Sequence, residues 1–180
     1  MLTGVFCALL LLCVYSSGSS LSCRWIDHKF RDYSENSLDL LEMMVNNSTN
    51  STEENTVAFP HHLYNHTSRA SAEDKVAFTV QVLREVCVLF EDDDSSASWE
   101  EKTLENFLNV VNRQADQLHS CIRSSAHKKN TKLHLYFKRL TNHILKKMGH
   151  SAAAWELIRQ ETKAHLLRAD QLVSTLLPSS

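Results

Sequence analysis

The stretch Thr131-Lys-Leu133-His-Leu-Tyr136-Phe137-Lys-Arg139-Leu140-Thr-Asn-His-Ile144-Leu-Lys146-Lys147-Met148-Gly149-His150-Ser151-Ala-Ala153-Ala154-Trp155-Glu156-Leu-Ile158-Arg159 decides the fold. It reads as two amphipathic helices joined at Gly149. Leu133, Phe137, Leu140, Ile144 and Met148 recur at helical spacing and line one face. Asn130 stands where an N-cap belongs, Lys146 and Lys147 suit the negative C-terminal end, and Gly149 takes a left-handed terminating position at little steric cost. Ser151 then caps a second helix with Trp155, Ile158, Thr162, Leu166, Ala169 and Val173 inward. Leu176 extends this face, and Pro178 marks the end.

The same periodicity continues upstream. Ser98-Trp99-Glu-Glu101 has the form of a capping box and opens a helix faced by Leu104, Leu108, Val111, Ala115, Leu118 and Ile122, widened by Phe107 and Val110. A helix from about Ser71, with Asp74 three residues on, carries Val76, Val80, Leu83, Cys87 and Phe90 inward. Glu91-Asp92-Asp93-Asp94 should end it, because four acids oppose the helix dipole there. Trp25 to Val45 has Phe30, Tyr33, Leu38, Leu41 and Val45 at roughly helical spacing. The polar run Asn46 to Thr52 reads as loop, and a long connection runs on to about Ala70. The expected class is all-α: a five-helix, up-up-down-down bundle whose long first connection crosses over, as in helical cytokines.

The first 22 residues hold no Asp, Glu, Lys or Arg, and Val5 to Val14 is an unbroken apolar run of 10. Such a run is too short to span a bilayer and suits a secretory signal peptide. Small residues at Ser20 and Ser22 place the cut before Cys23. Residues 1–22 are therefore expected to be the signal and 23–180 a single exported domain. No nucleic-acid partner and no membrane insertion are expected of it, and a monomer is the expected state. Without the signal only one glycine remains, Gly149. Phosphate-binding loops and nucleophile elbows need glycine at fixed places, so these enzyme classes are excluded. No cofactor is implied.

Charge is divided along the chain. Residues 23–122 carry 8 Lys or Arg and 18 Asp or Glu, while residues 123–180 carry 11 and 3. A basic half can meet nucleic acid or a heparin-like polyanion, but in an exported helical protein it more often meets an acidic protein partner. Three cysteines remain after the signal: Cys23, Cys87 and Cys121. Cys87 lies in the apolar run Val86 to Phe90 and reads as a buried free thiol. Cys23 and Cys121 are then expected to pair, with a reactive or intermolecular Cys87 as the rival reading.

Histidines at 61, 62 and 66 cluster in the first connection. His62 and His66 would share a helical face, but Pro60 and the neighbouring polar residues argue for loop, and no third ligand completes a zinc set. Sequons occur at Asn46, Asn47, Asn50 and Asn65, all in that connection. Asn46 and Asn47 are adjacent, so Asn47, Asn50 and Asn65 are the expected glycosylation sites.

Taken together, the motifs carry a resemblance. Val82 to Phe90 followed by Ser95-Ser-Ala-Ser-Trp99-Glu resembles the second helix and following loop of type I interferons. Tyr136-Phe137-Lys-Arg139-Leu-Thr141 resembles their fourth helix, and Ser151-Ala-Ala-Ala154-Trp155-Glu156-Leu-Ile-Arg159 their last. Where that family commonly has Cys-Ala-Trp-Glu, this chain has Ala153, and the partner cysteine is missing too. The remaining Cys23 and Cys121 match the family's first bridge, which resembles the two-cysteine group of fish type I interferons.

The resemblance implies a secreted antiviral cytokine that binds two class II cytokine receptor chains and activates JAK–STAT signalling. It also implies that Arg159, Gln160 and Lys163 lie on the outer face of the last helix as receptor contacts, while Trp155 and Phe137 belong to the core. Two alternatives come from the residues: another class II helical cytokine, or a cationic defence protein acting directly on membranes.

Overall fold

The computed structural model describes residues 23–45, 57–91, 99–123 and 127–177. The expected signal peptide, the sequons at Asn46, Asn47 and Asn50, and Ser98 lie outside them. All regular elements among the described residues are helical: α1 (Arg24–Met43), α2 (His61–Thr67), α3 (Ala72–Glu91), α4 (Glu101–Ser120), α5 (Thr131–Leu140) and α6 (Ala152–Ser174). A π-helical segment, Thr141–Lys146, continues α5.

Side-chain contacts fix the helix directions. Cys23 is bonded to Cys121, and Arg113 lies 6.0 Å over the Tyr33 ring, so α1 and α4 are antiparallel. Phe90 meets Phe107 while Arg84 meets Asp116, so α3 and α4 are antiparallel as well. Lys75 reaches Thr175 and Phe90 reaches Trp155, which sets α6 against α3. The helices α1, α3, α4 and α6 thus run up-up-down-down. α5 lies beside α3, because Gln81 bonds Asn130 and Glu85 bonds His134.

α3 is the central element. It is buried on most sides, including Val76, Val80, Leu83, Cys87 and Phe90 of the expected stripe together with Phe78, Val82, Val86 and Leu89. Trp155 and Phe137 are buried too. Cys87 is a buried free thiol. Burial, with the nearby Glu91 and Asp116 charges, pushes its pKa up to about 12, so it stays protonated and unreactive at neutral pH.

Several local signals act as their chemistry dictates. Asn130 Oδ1 accepts from Leu133 N at 3.0 Å, and Ser151 Oγ accepts from Ala154 N at 3.2 Å. Ser71 Oγ accepts from Asp74 N and donates to Asp74 Oδ2. Gly149 adopts φ +60°. His150 follows at φ 53°, a conformation disfavoured for a residue with a Cβ.

Other expectations need correction. The first connection holds a helix, α2, where loop was expected; Leu63, Tyr64 and Thr67 supply an inward face that three histidines and an asparagine disguise. In α1 the buried stripe is Ile26, Phe30, Ser34, Ser37 and Leu41. Tyr33 and Leu38 are half-buried, and Val45 is 48% exposed. α4 starts at Glu101 behind an N-cap at Glu100, whose carboxylate accepts from the Thr103 hydroxyl at 3.0 Å, so the cap lies two residues after the Ser98 expected for it.

Candidate functional site

The outer side of α6 meets the end of α1 through a charged network. Arg159 Nε and Nη2 donate to the two Glu156 oxygens at 2.9 and 2.8 Å. Arg159 Nη1 lies 3.5 Å from the Leu41 carbonyl, at the negative end of α1, and 3.8 Å from Glu42. Gln160 Nε2 donates to Glu156 Oε1 at 3.0 Å, and Lys163 pairs with Glu42.

The three residues placed together on the outer face therefore differ in exposure. Gln160 is exposed and Lys163 half-exposed, but Arg159 is only 6% exposed. Its expected outward position is corrected: the last turn of α1 covers the guanidinium, and Glu156 holds it in a two-point fork.

α2 docks on the same helix one turn further on. Arg168 lies 5.5 Å over the Tyr64 ring, and its Nη2 reaches Asn65 Oδ1 at 3.4 Å. Asn65 is exposed on α2, on a helix and not in the loop expected. His62 and His66, also exposed, are one turn apart, but among the described residues no group of three His, Cys, Asp or Glu could hold a metal ion.

Beneath this face lies His165, fully buried among the rings of Phe59, Tyr64, Tyr136 and Phe137. Its Nδ1 is 2.6 Å from Tyr64 Oη. Burial raises the Tyr64 pKa, which keeps the phenol protonated, and it lowers the imidazole pKa to about 3. Nε2 has no hydrogen-bond partner in this apolar shell. Tyr136 donates to Glu161 at 2.6 Å on the outer side of the cluster. Sequence reasoning missed His165, although it lies three residues after Thr162 and four before Ala169, on the inward stripe.

A pH dependence follows. The folded ring stays neutral down to about pH 3, whereas the unfolded ring takes a proton below about 6.5, so acid favours unfolding. Stability from this group is complete above pH 6.5 and is lost as the pH falls towards 3. The loss at pH 4 should be on the order of 3 kcal/mol. Urea titrations at pH 7 and 4 should show a shallower decline for His165→Gln than for the parent chain. Equal declines would assign the effect to other groups.

A second face is built from α3, the α4–α5 link and the start of α5. The Gln81 amide donates to Asn130 O at 2.9 Å and accepts from Asn130 N at 2.8 Å. Glu85, buried, takes His134 Nδ1 at 3.0 Å and Lys129 Nζ at 3.1 Å. His127 stands 3.3 Å from Asp74 and 3.7 Å from Glu73. These contacts hold α5 along a groove that Arg84, Val88 and His119 help to line. Such pairs order a surface, and nothing in their geometry resembles a nucleophile or a proton relay.

Comparison with known proteins places this arrangement. A family model described as an interferon alpha/beta domain matches residues 26–176. Interferon a3 of Oncorhynchus mykiss is 39% identical over 170 residues, covering 94% of this chain and 95% of that protein. Human interferon alpha-21 is 31% identical over 90 residues, 45% of this chain and 47% of that protein. Among solved structures, zebrafish interferon 1 superposes with a TM-score of 0.73 at 30% identity, over 86% of this chain and 99% of that one.

Proposed function

Because the chain belongs to the interferon alpha/beta family, and is thus a cytokine and not an enzyme, we propose that it is a secreted antiviral ligand bridging two class II cytokine receptor chains to trigger JAK–STAT signalling. The observation that carries this reading is the pair of separate polar faces. One is built on α6 with α2 and the end of α1, the other on α3 with α5. A bridging ligand needs two such faces, and a rigid bundle holds them at a fixed separation without moving parts.

On the α6 face, Gln160 and Lys163 are the proposed receptor contacts. Arg159 acts from beneath them: its fork on Glu156 fixes the carboxylate to which Gln160 is tied. Export follows from the expected signal peptide at residues 1–22. Among the described residues no helix is long and apolar enough to cross a membrane. N-glycans are proposed at Asn47, Asn50 and Asn65.

The double replacement Gln160→Ala, Lys163→Ala should weaken one receptor chain by about tenfold, or ~1.4 kcal/mol, and leave the other unchanged. Surface plasmon resonance with each ectodomain measures this. Reporter cells lacking either receptor chain should give no antiviral response. A response that persists without both would favour a directly acting defence protein.

A further inference from the structure

From Gln117 to Trp155 the chain contains no Asp or Glu, and residues 123–155 hold eight Lys or Arg. α5 and its π-helical continuation occupy the middle of this stretch. Lys132, Lys138, Arg139 and Lys146 along it are exposed, as is Lys128 just ahead. Among the described residues no ion pair engages Lys128, Lys132, Lys138 or Lys146. The contrast is Lys129, tied to Glu85, and Lys163, tied to Glu42.

We infer that this edge binds a linear sulfated polysaccharide of the glycosaminoglycan class. Residues 131–146 extend roughly 20 Å or more at the usual helical rise, so the cations are spread along the element and not gathered in a spot. The lysine stems are long and exposed, while Arg139 among them lies 5.9 Å over the Tyr136 ring. That geometry suits a flexible polyelectrolyte, whose binding is driven by release of condensed counterions and tolerates variation in sequence.

The other acidic partners fit less well. A folded protein interface is anchored by aromatic and apolar residues at its centre. On α5 the one exposed large hydrophobic residue is Leu135. Single-stranded nucleic acid is held by stacking of bases on aromatic rings. The aromatic residues of α5, Tyr136 and Phe137, are buried at 1% and 3% exposure. The inference rests on the export reading, since sulfated polysaccharides line the cell exterior, and is independent of which receptor is bound.

The test is salt elution of the purified protein from immobilised heparin, hyaluronan, single-stranded DNA and polyglutamate. Retention should be strongest on heparin. The triple variant Lys132→Gln, Lys138→Gln, Lys146→Gln should elute earlier, and its slope of log affinity against log salt should fall by about two to three units. A control, Lys29→Gln with Arg31→Gln on α1, should elute with the parent protein. Circular dichroism of each variant shows that the fold is kept. Co-elution of the triple variant with the parent, or tighter retention on DNA or polyglutamate than on heparin, would overturn the assignment. A parent protein that is retained on heparin as expected, yet signals equally in cells with and without the receptor chains, would instead count against the receptor reading alone.

Discussion

Trp155→Ala should lower the unfolding free energy by about 3–5 kcal/mol, the usual cost of deleting a fully buried large aromatic ring. Trp155 is 1% exposed and sits at one end of the bundle between the Trp99 ring at 5.4 Å and the Phe90 ring at 5.9 Å. Phe90 in turn meets Phe107 at 5.4 Å, so one side chain of α6 joins it to α3, to α4 and to the segment before α4. Among the described residues no second disulfide secures this end; the Cys23–Cys121 bridge lies at the other. Urea denaturation should show a lower midpoint with an unchanged slope. Trp155→Phe, which keeps most of the apolar contact, should cost less. A parent-like midpoint for the alanine variant would remove Trp155 from the core.

Arg159→Ala should cost about 3 kcal/mol of stability, because it strips the cation from Glu156, which is 8% exposed. Arg159→Lys should recover only part, since a lysine offers one point where the guanidinium offers a fork. The paired replacement Arg159→Met, Glu156→Leu should be less damaging than the single alanine, because both halves of the buried ion pair are replaced together by apolar side chains. The same samples tested for receptor binding separate support from contact. If Arg159→Ala loses affinity while its melting curve is unchanged, the side chain touches the receptor directly. A joint loss marks it as the support described above.

Much of this was legible from local chemistry. Asn130, Ser151 and Gly149 act within one turn of themselves, so a cap or a left-handed terminus can be read from a few residues. The expected stripes of α3 and α5 are apolar throughout, and that of α6 is interrupted by Thr162 and His165, yet all three show their period. In α1 two members of the stripe are Ser34 and Ser37, and Ser37 satisfies its hydroxyl on the Ser34 carbonyl at 2.8 Å. Polar letters there hid a buried face. α2 is short and needs α6 to cover Leu63 and Tyr64, so its own seven residues give a weak signal.

Arg159 was placed correctly on its helix but not in its surroundings. It lies one turn after Trp155, at the margin of the apolar stripe, and only the crossing of α1 decides whether that margin is wet or covered. The π-helical turn after Leu140 likewise had no sequence signal. It inserts its extra spacing where α5 runs out before Gly149 and His150, both of which have positive φ.

The central claim, that one rigid bundle bridges two receptor chains, is tested most directly by mixing the purified protein with both receptor ectodomains and measuring the mass of the complex by light scattering. The expected result is a single species containing one copy of the protein and one of each receptor chain, and it should be lost when either chain is omitted. Complexes that contain only one receptor chain at a time, however high the concentrations, would contradict the claim.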